Sequence, residues 1–258
     1  MPAVPDETAS RAALRALLLA MADDDLVVGH RHSEWTGLAP DIESDVALSS
    51  IAQDEIGHAR LLYEQVAGLD GTSADRLAYG RAPHEFCNAV LLERENGDWS
   101  FTIVRAWLYD HADAVRLSAL AASPLGSLAA VASTLQREEK YHVLFSETWL
   151  ERLARATDES RRRMQAALET AWSEALAVLG PTPDVDVLTR AGLLITGPAE
   201  QQARWAADVA RRLTAFGLCP PAGVPAAGGG RAAAHSPALA ALLDEMTSVW
   251  RTDPEATW

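Results

Sequence analysis

The sequence predicts an all-α protein, and three observations carry that expectation. Ala, Leu, Arg and Glu dominate, which are strong helix formers. Val and Ile rarely alternate with polar residues, so the period-two signature of strands is weak. Apolar residues instead recur at helical spacing through several long stretches separated by Gly, Pro and Asn. At 48% apolar content over 258 residues, a sizeable core is available.

The elements follow in order. A first helix is expected over about 7–36, with Leu14, Leu17, Leu18, Met21, Leu26 and Val27 as its stripe, closed by Gly37 and Pro40. A second runs over about 41–67, with Asp41, Glu43 and Asp45 suited to the positive end of its dipole. Short helical pieces surround Pro83 and end in the turn Glu95-Asn96-Gly97-Asp98, where Asp98 can cap a third helix over about 99–122. A fourth covers about 125–155, a fifth 158–179 behind a Thr157 cap, a sixth 198–216 and a last one 237–250. Residues 1–180 read as a four-helix core plus a fifth helix. Residues 181–258 read as a helical extension packed on that core. Residues 219–235, rich in Pro, Gly and Ala, read as a flexible loop within the extension.

Two motifs carry chemistry. Glu55-Ile56-Gly57-His58 and Glu139-Lys140-Tyr141-His142 are Glu-x-x-His steps in separate helices. Positions i and i+3 share a helix face, so each motif can aim a carboxylate and an imidazole at one point. Both interrupt an apolar stripe: Leu48, Ile51, Glu55, His58, Leu62 in one helix and Leu128, Leu135, Glu139, His142, Ser146 in the other. Glu34 continues the stripe of the first helix, and Asp110 lies on that of the third, with Ile103, Ala114 and Leu117. A Glu-x-x-His from each of two helices plus one acid from each of two more is the ligand pattern of ferritin-like dimetal bundles. A ferritin-like fold is therefore expected, with Glu34, Glu55, His58, Asp110, Glu139 and His142 as ligands of two iron ions, or of manganese. The competing reading is a metal-free ion-pair network in which Arg31, Arg60, Arg105 and Arg137 neutralise the acids.

The rest of the chain bounds the partners. A net charge of −14 argues against nucleic acid. The run Arg161-Arg162-Arg163 fits a solvated helix face. Cys87 and Cys219 are expected as reduced thiols. With no secretory leader and no apolar run of about 18 residues, a cytoplasmic protein without a membrane anchor is expected.

Several stretches resemble a known family: Gly29 to Pro40 (GHRHSEWTGLAP), Asp54 to Arg60 (DEIGHAR), Asn96 to Trp99 with Thr102 and Ile103, Tyr141-His142, and the tail around His235 and Leu243 to Met246. Together they are similar to the C-subunit family of the bacterial phenylacetyl-CoA epoxidase complex, and the resemblance covers nearly the whole chain. It implies a ferritin-like fold and a role in aerobic phenylacetate breakdown. It implies pairing with a homologous A-type subunit that carries the diiron centre and binds the acyl-CoA, a small bridging B-type subunit, and a flavin and iron–sulfur reductase supplying electrons from NADPH. C-type subunits of that family are regarded as structural, often with eroded ligands. This sequence keeps all six candidate ligands, so a catalytic diiron oxygenase or oxidase is the alternative to a structural role. A ferritin-like iron store fits less well with the long chain after residue 180.

Overall fold

The computed structural model describes residues 7–226, 231 and 234–254. Among them every regular element is helical: α1 (Glu7–Ser33), α2 (Ile42–Asp70), α3 (Ala74–Tyr79), α4 (Val90–Glu93), α5 (Trp99–Ala121), α6 (Gly126–Ala156), α7 (Asp158–Ala175), α8 (Val185–Arg190), α9 (Pro198–Ala215) and α10 (Pro237–Met246). Short 3-10 turns occupy Pro83–Glu85 and Trp250–Thr252. The all-α class expected from composition and periodicity is the class observed. None of the described helices is long and apolar enough to cross a membrane. Both cysteines are unbridged.

The caps explain where the helices begin. The Asp41 side chain accepts from the Ser44 amide, Asp98 from that of Phe101 and Thr157 from that of Ser160. Asp45, expected only as a dipole partner, also accepts from the Gly37 amide at 2.6 Å and so ties the turn before α2 to its first turn. Gly71 ends α2 with φ of 80°, a left-handed conformation in which glycine carries no Cβ penalty. The sequence missed α8. Its six residues are too few to show a helical period, and it starts at Asp184 in a left-handed conformation.

The chain divides into two compact units, one from Met1–Ala13 and Asn96–Ala227, the other from Leu14–Glu95 and Gly228–Trp258. This is a different partition from the expected 1–180 and 181–258. The C-terminal residues do not form one extension: α9 packs against α5, while α10 packs against α4 and the turn at Pro83–Glu85. The expected loop 219–235 falls partly on residues 227–230 and 232–233, outside the described residues.

In the unit built on residues 96–226, α5 is the central helix, packed by α6, α7 and α9. Its buried residues run all round it, from Ile103, Val104 and Trp107 to Tyr109 and Leu117. Burial on every face makes it the inner helix of the unit, and its buried polar residues, among them Arg105, Asp110 and His111, are held by partners there. The Trp205 indole donates to the Leu108 carbonyl at 3.1 Å and stacks on Trp172, which pins α9 and α7 to this centre.

In the other unit, α1 and α2 form an antiparallel hairpin: Arg15 pairs with Asp70 at 2.7 Å, Tyr63 bonds Asp23, and Gly29 meets Ala52 and Ile56. Gly29 is required by that last approach. A Cβ there would lie 2.9 Å from Ile56 Cγ1 and 3.1 Å from both the Ala52 oxygen and Glu55 Cβ.

Candidate metal centre

On α2 the residues Leu48, Ile51, Glu55, His58 and Leu62 are all buried, as their spacing predicts. On α6 the same holds for Leu128, Ala132, Leu135, Glu139, His142 and Ser146. Both Glu-x-x-His motifs therefore face inward. Glu55 is 1% exposed and Glu139 2%, so each carboxylate has lost nearly all its water. An ionised carboxylate in that position must be compensated by a cation or by hydrogen bonds.

In the α1–α2 unit, Glu55 and His58 gather with Asp25: one ligand atom from each lies within 4.8 Å of the others. Glu55 Oε2 is 4.0 Å from His58 Nδ1. Two carboxylates and one imidazole are hard-to-borderline donors suited to iron or manganese. On donor chemistry, spacing and burial, this triad fits a divalent transition metal.

Glu34, the acid expected from the first helix, is not among these residues. Helix α1 stops at Ser33, so the stripe projected through His30 to Glu34 runs into a turn. The Glu34 side chain is 35% exposed and accepts from Arg31 Nη1 at 2.5 Å. Asp25 lies more than two turns earlier, inside the helix. The sequence held a signal for it that the stripe argument passed over. Asp23-Asp24-Asp25 is an acidic run between the apolar runs Leu17–Ala22 and Leu26–Val28, and all three acids are buried.

Each of the three takes different partners, because successive helical residues point about 100° apart. Asp23 accepts from the Tyr63 hydroxyl at 2.6 Å and the Cys87 amide at 2.7 Å, and forms a bidentate pair with Arg81. Burial and then the Asp23 charge push the Tyr63 phenol well above its ordinary range, so it stays a donor. Asp24 accepts from the Ala89 amide at 2.8 Å and from both terminal nitrogens of Arg231 at 3.0 and 2.6 Å. Asp25 turns to Glu55 and His58.

In the α5–α6 unit, His142 Nδ1 lies 3.0 Å from Glu139 Oε2. Asp110, 1% exposed, accepts from the Ser146 hydroxyl at 2.6 Å, and Ser146 follows His142 by one turn on the same stripe. The structure thus buries Asp110, Glu139 and His142 on the packed helices α5 and α6, as expected.

Two of the proposed neutralising cations lie elsewhere. Arg60 is exposed and bonds Glu64, and Arg137 is exposed and bonds Thr134. Arg31 is buried and donates to Glu34 and to the Glu93 and Ala238 carbonyls. Arg105 is fully buried, where it bonds Asn96 in the turn before α5.

Two further clusters were not expected. Glu93, fully buried, accepts from the Asn88 amide at 3.1 Å and the Ser236 backbone amide, and contacts His235 Nδ1 at 2.8 Å. His235 Nε2 lies 2.9 Å from the Phe86 carbonyl. A carbonyl and a carboxylate on the two ring nitrogens call for a donor at both, which is the imidazolium form. Burial opposes that charge, but Glu93 and the Phe86 carbonyl raise the His235 pKa, while bonds from His235, Ser236 and Asn88 hold Glu93 below its ordinary range despite burial. The second cluster joins α5, α6 and α9: Arg212 Nη1 donates to both Glu147 oxygens at 2.7 Å, and His111 Nε2 sits 3.1 Å from Glu147. Burial, then the Arg212 charge, lower the His111 pKa.

The family model described as phenylacetic acid catabolic protein matches residues 2–258. The chain is 32% identical to the C-type component of the 1,2-phenylacetyl-CoA epoxidase of Escherichia coli K12 over 246 residues, covering 95% of this chain and 99% of that one. It is also 26% identical to the A-type component of the same E. coli epoxidase over 167 residues, covering 60% of this chain and 53% of that protein. With a family model spanning nearly its whole length and a relative matched end to end, the chain belongs to the family of phenylacetic acid catabolic proteins.

Proposed function

We propose that the chain is a C-type subunit of a multicomponent phenylacetyl-CoA epoxidase in aerobic phenylacetate catabolism. The observation that carries this reading is the 32% identity to the C-type component of an epoxidase over 95% of one chain and 99% of the other. The weaker match to the A-type component covers only 53% of that protein, which favours the C-type role over the A-type one. The partners are a homologous A-type subunit, a small bridging B-type subunit and a flavin and iron–sulfur reductase. Co-expression with an A-type homologue tests this. One co-eluting species at micromolar concentration is expected, and elution as separate species refutes the assignment.

A second reading has its own support. Asp25, Glu55 and His58 are buried together with their ligand atoms within 4.8 Å, and Asp110, Glu139 and His142 are likewise buried. We propose these six as iron ligands, with Asp25 in the role first expected of Glu34. Bound iron would supply the redox chemistry for oxygen activation. The chain's own part is to present carboxylates and imidazoles from rigid helices and to keep bulk water away from them. On this reading the chain is a catalytic diiron oxygenase or oxidase in its own right. Anaerobic iron loading followed by metal analysis and a thermal melt tests it. Less than about one iron per chain, with an unchanged melting temperature, would count against the ligand set whatever the activity.

A further inference from the structure

The α1–α2 unit contains a half-open cleft of about 630 Å³ whose lining includes α1, α2, α3 and the tail after α10. We propose that it binds a compact, neutral aromatic molecule carrying one hydrogen-bonding oxygen.

Four observations support this. The volume lies in the range of small-molecule sites, about 300–1,000 Å³. The lining combines three aromatic side chains, Tyr63, Tyr79 and Trp250, with Leu26, Ile56 and the Met246 thioether, and its two charged members, Arg60 and Asp75, are of opposite sign, with Arg60 already paired to Glu64. Rings and thioether sulfur pack favourably against an aromatic guest. His30 also lines the cleft, and its buried Nε2 has no hydrogen-bond partner among the described residues. A buried polar atom of this kind is satisfied by water or by a ligand oxygen. Burial lowers the His30 pKa, with Glu245 opposing.

The fourth observation is Gly57. It lies in the interior of α2, where glycine weakens a helix, yet nothing stands within 4 Å of where its Cβ would be. Packing therefore does not require a glycine there. What the missing side chain leaves is open space at the cleft, which Gly57 lines. The aromatic wall from Trp250 is anchored separately, since its ring lies 3.1 Å from a would-be Cβ on Gly80.

This inference does not rest on the epoxidase reading, and its test uses the full chain alone. 2-Phenylethanol is titrated against the wild type and Gly57→Leu by saturation-transfer NMR. Saturable binding is expected with a Kd of about 1 mM or tighter, which is reasonable for a ligand of this size. Gly57→Leu should weaken it at least tenfold while melting no lower than wild type. Gln53→Trp, at another exposed position of the same lining, is the second blocking variant if Gly57→Leu does not fold. Phenylacetate is titrated as the anionic counterpart and should bind more weakly. No saturation below about 10 mM overturns the proposal. So does equal affinity in the folded blocking variant, or tighter binding of phenylacetate than of the alcohol.

Discussion

Two glycines in adjacent helices should respond in opposite directions to the same substitution. In Gly29→Ala the new methyl would sit 2.9 Å from Ile56 Cγ1, 3.1 Å from the Ala52 carbonyl oxygen and 3.1 Å from Glu55 Cβ. The Ile56 methylene can give a little by rotation. The Ala52 oxygen and Glu55 Cβ are fixed to the α2 backbone, so relief requires α1 and α2 to separate. Overpacking of this kind costs about 1–3 kcal/mol, against a gain of about 0.5–1 kcal/mol from replacing glycine in a helix. The net expectation is a loss of about 1–2 kcal/mol. In Gly57→Ala nothing lies within 4 Å of the new methyl, so only the helix gain remains, about 0.5–1 kcal/mol of stabilisation. The two variants should therefore differ by roughly 2 kcal/mol in urea unfolding, or several degrees in Tm. Because Glu55 Cβ is one of the atoms displaced, Gly29→Ala should also weaken iron uptake, and Gly57→Ala should not. Stabilisation by Gly29→Ala equal to that by Gly57→Ala would refute the close-approach argument.

Three further outcomes are expected. Arg81→Ala strands the fully buried Asp23 carboxylate and should cost about 3–5 kcal/mol in denaturant unfolding, more than Tyr63→Phe, which removes one hydrogen bond to that charge for about 1.5–3 kcal/mol; equal costs would mean the ion pair is not the dominant partner. The His235–Glu93 pair should make stability depend on pH from both sides. The raised His235 pKa gives a contribution fully present below its ordinary value of about 6.5 and lost as pH rises through the folded value; the depressed Glu93 pKa gives one present above its ordinary value of about 4.3 and lost as pH falls through the folded value. His235→Ala should flatten the alkaline limb of a Tm-versus-pH profile, and an unchanged limb would place its origin elsewhere. Finally, Asp25→Asn should reduce iron bound per chain and remove the melting shift seen on loading, about 2.7 kcal/mol at a hundredfold excess over Kd, whereas Glu34→Gln should leave both as in wild type. The reverse result would restore Glu34 as the ligand.

Much of this was legible because it is local. Asp41, Asp98 and Thr157 announce helix starts through their own side chains. The inward faces of α2 and α6 follow from helical spacing alone, which is why Glu55, His58, Glu139 and His142 could be placed as buried before any packing was known. The acid from α1 was a different matter. Projecting a stripe to Glu34 assumed the helix continues past Ser33, and spacing cannot report where a helix ends when no strong breaker stands there. Asp25 is not distinguishable by spacing, because three successive acids look solvated when their partners are unknown. Those partners, Tyr63, Arg81, Ala89 and Arg231, lie 40 to 207 residues away in sequence.

By itself the sequence determined the all-α class, the starts of α2, α5 and α7, the two inward-facing Glu-x-x-His motifs and the family, since each depends on short-range signals or on similarity along the chain. Tertiary structure alone decided which acid joins Glu55 and His58, how the C-terminal helices divide between α5 and α4, and that Glu93 and His235 form a buried pair. Those outcomes depend on desolvation. A buried charge is tolerable only where a distant residue arrives to compensate it, and that arrival is a property of the packed chain.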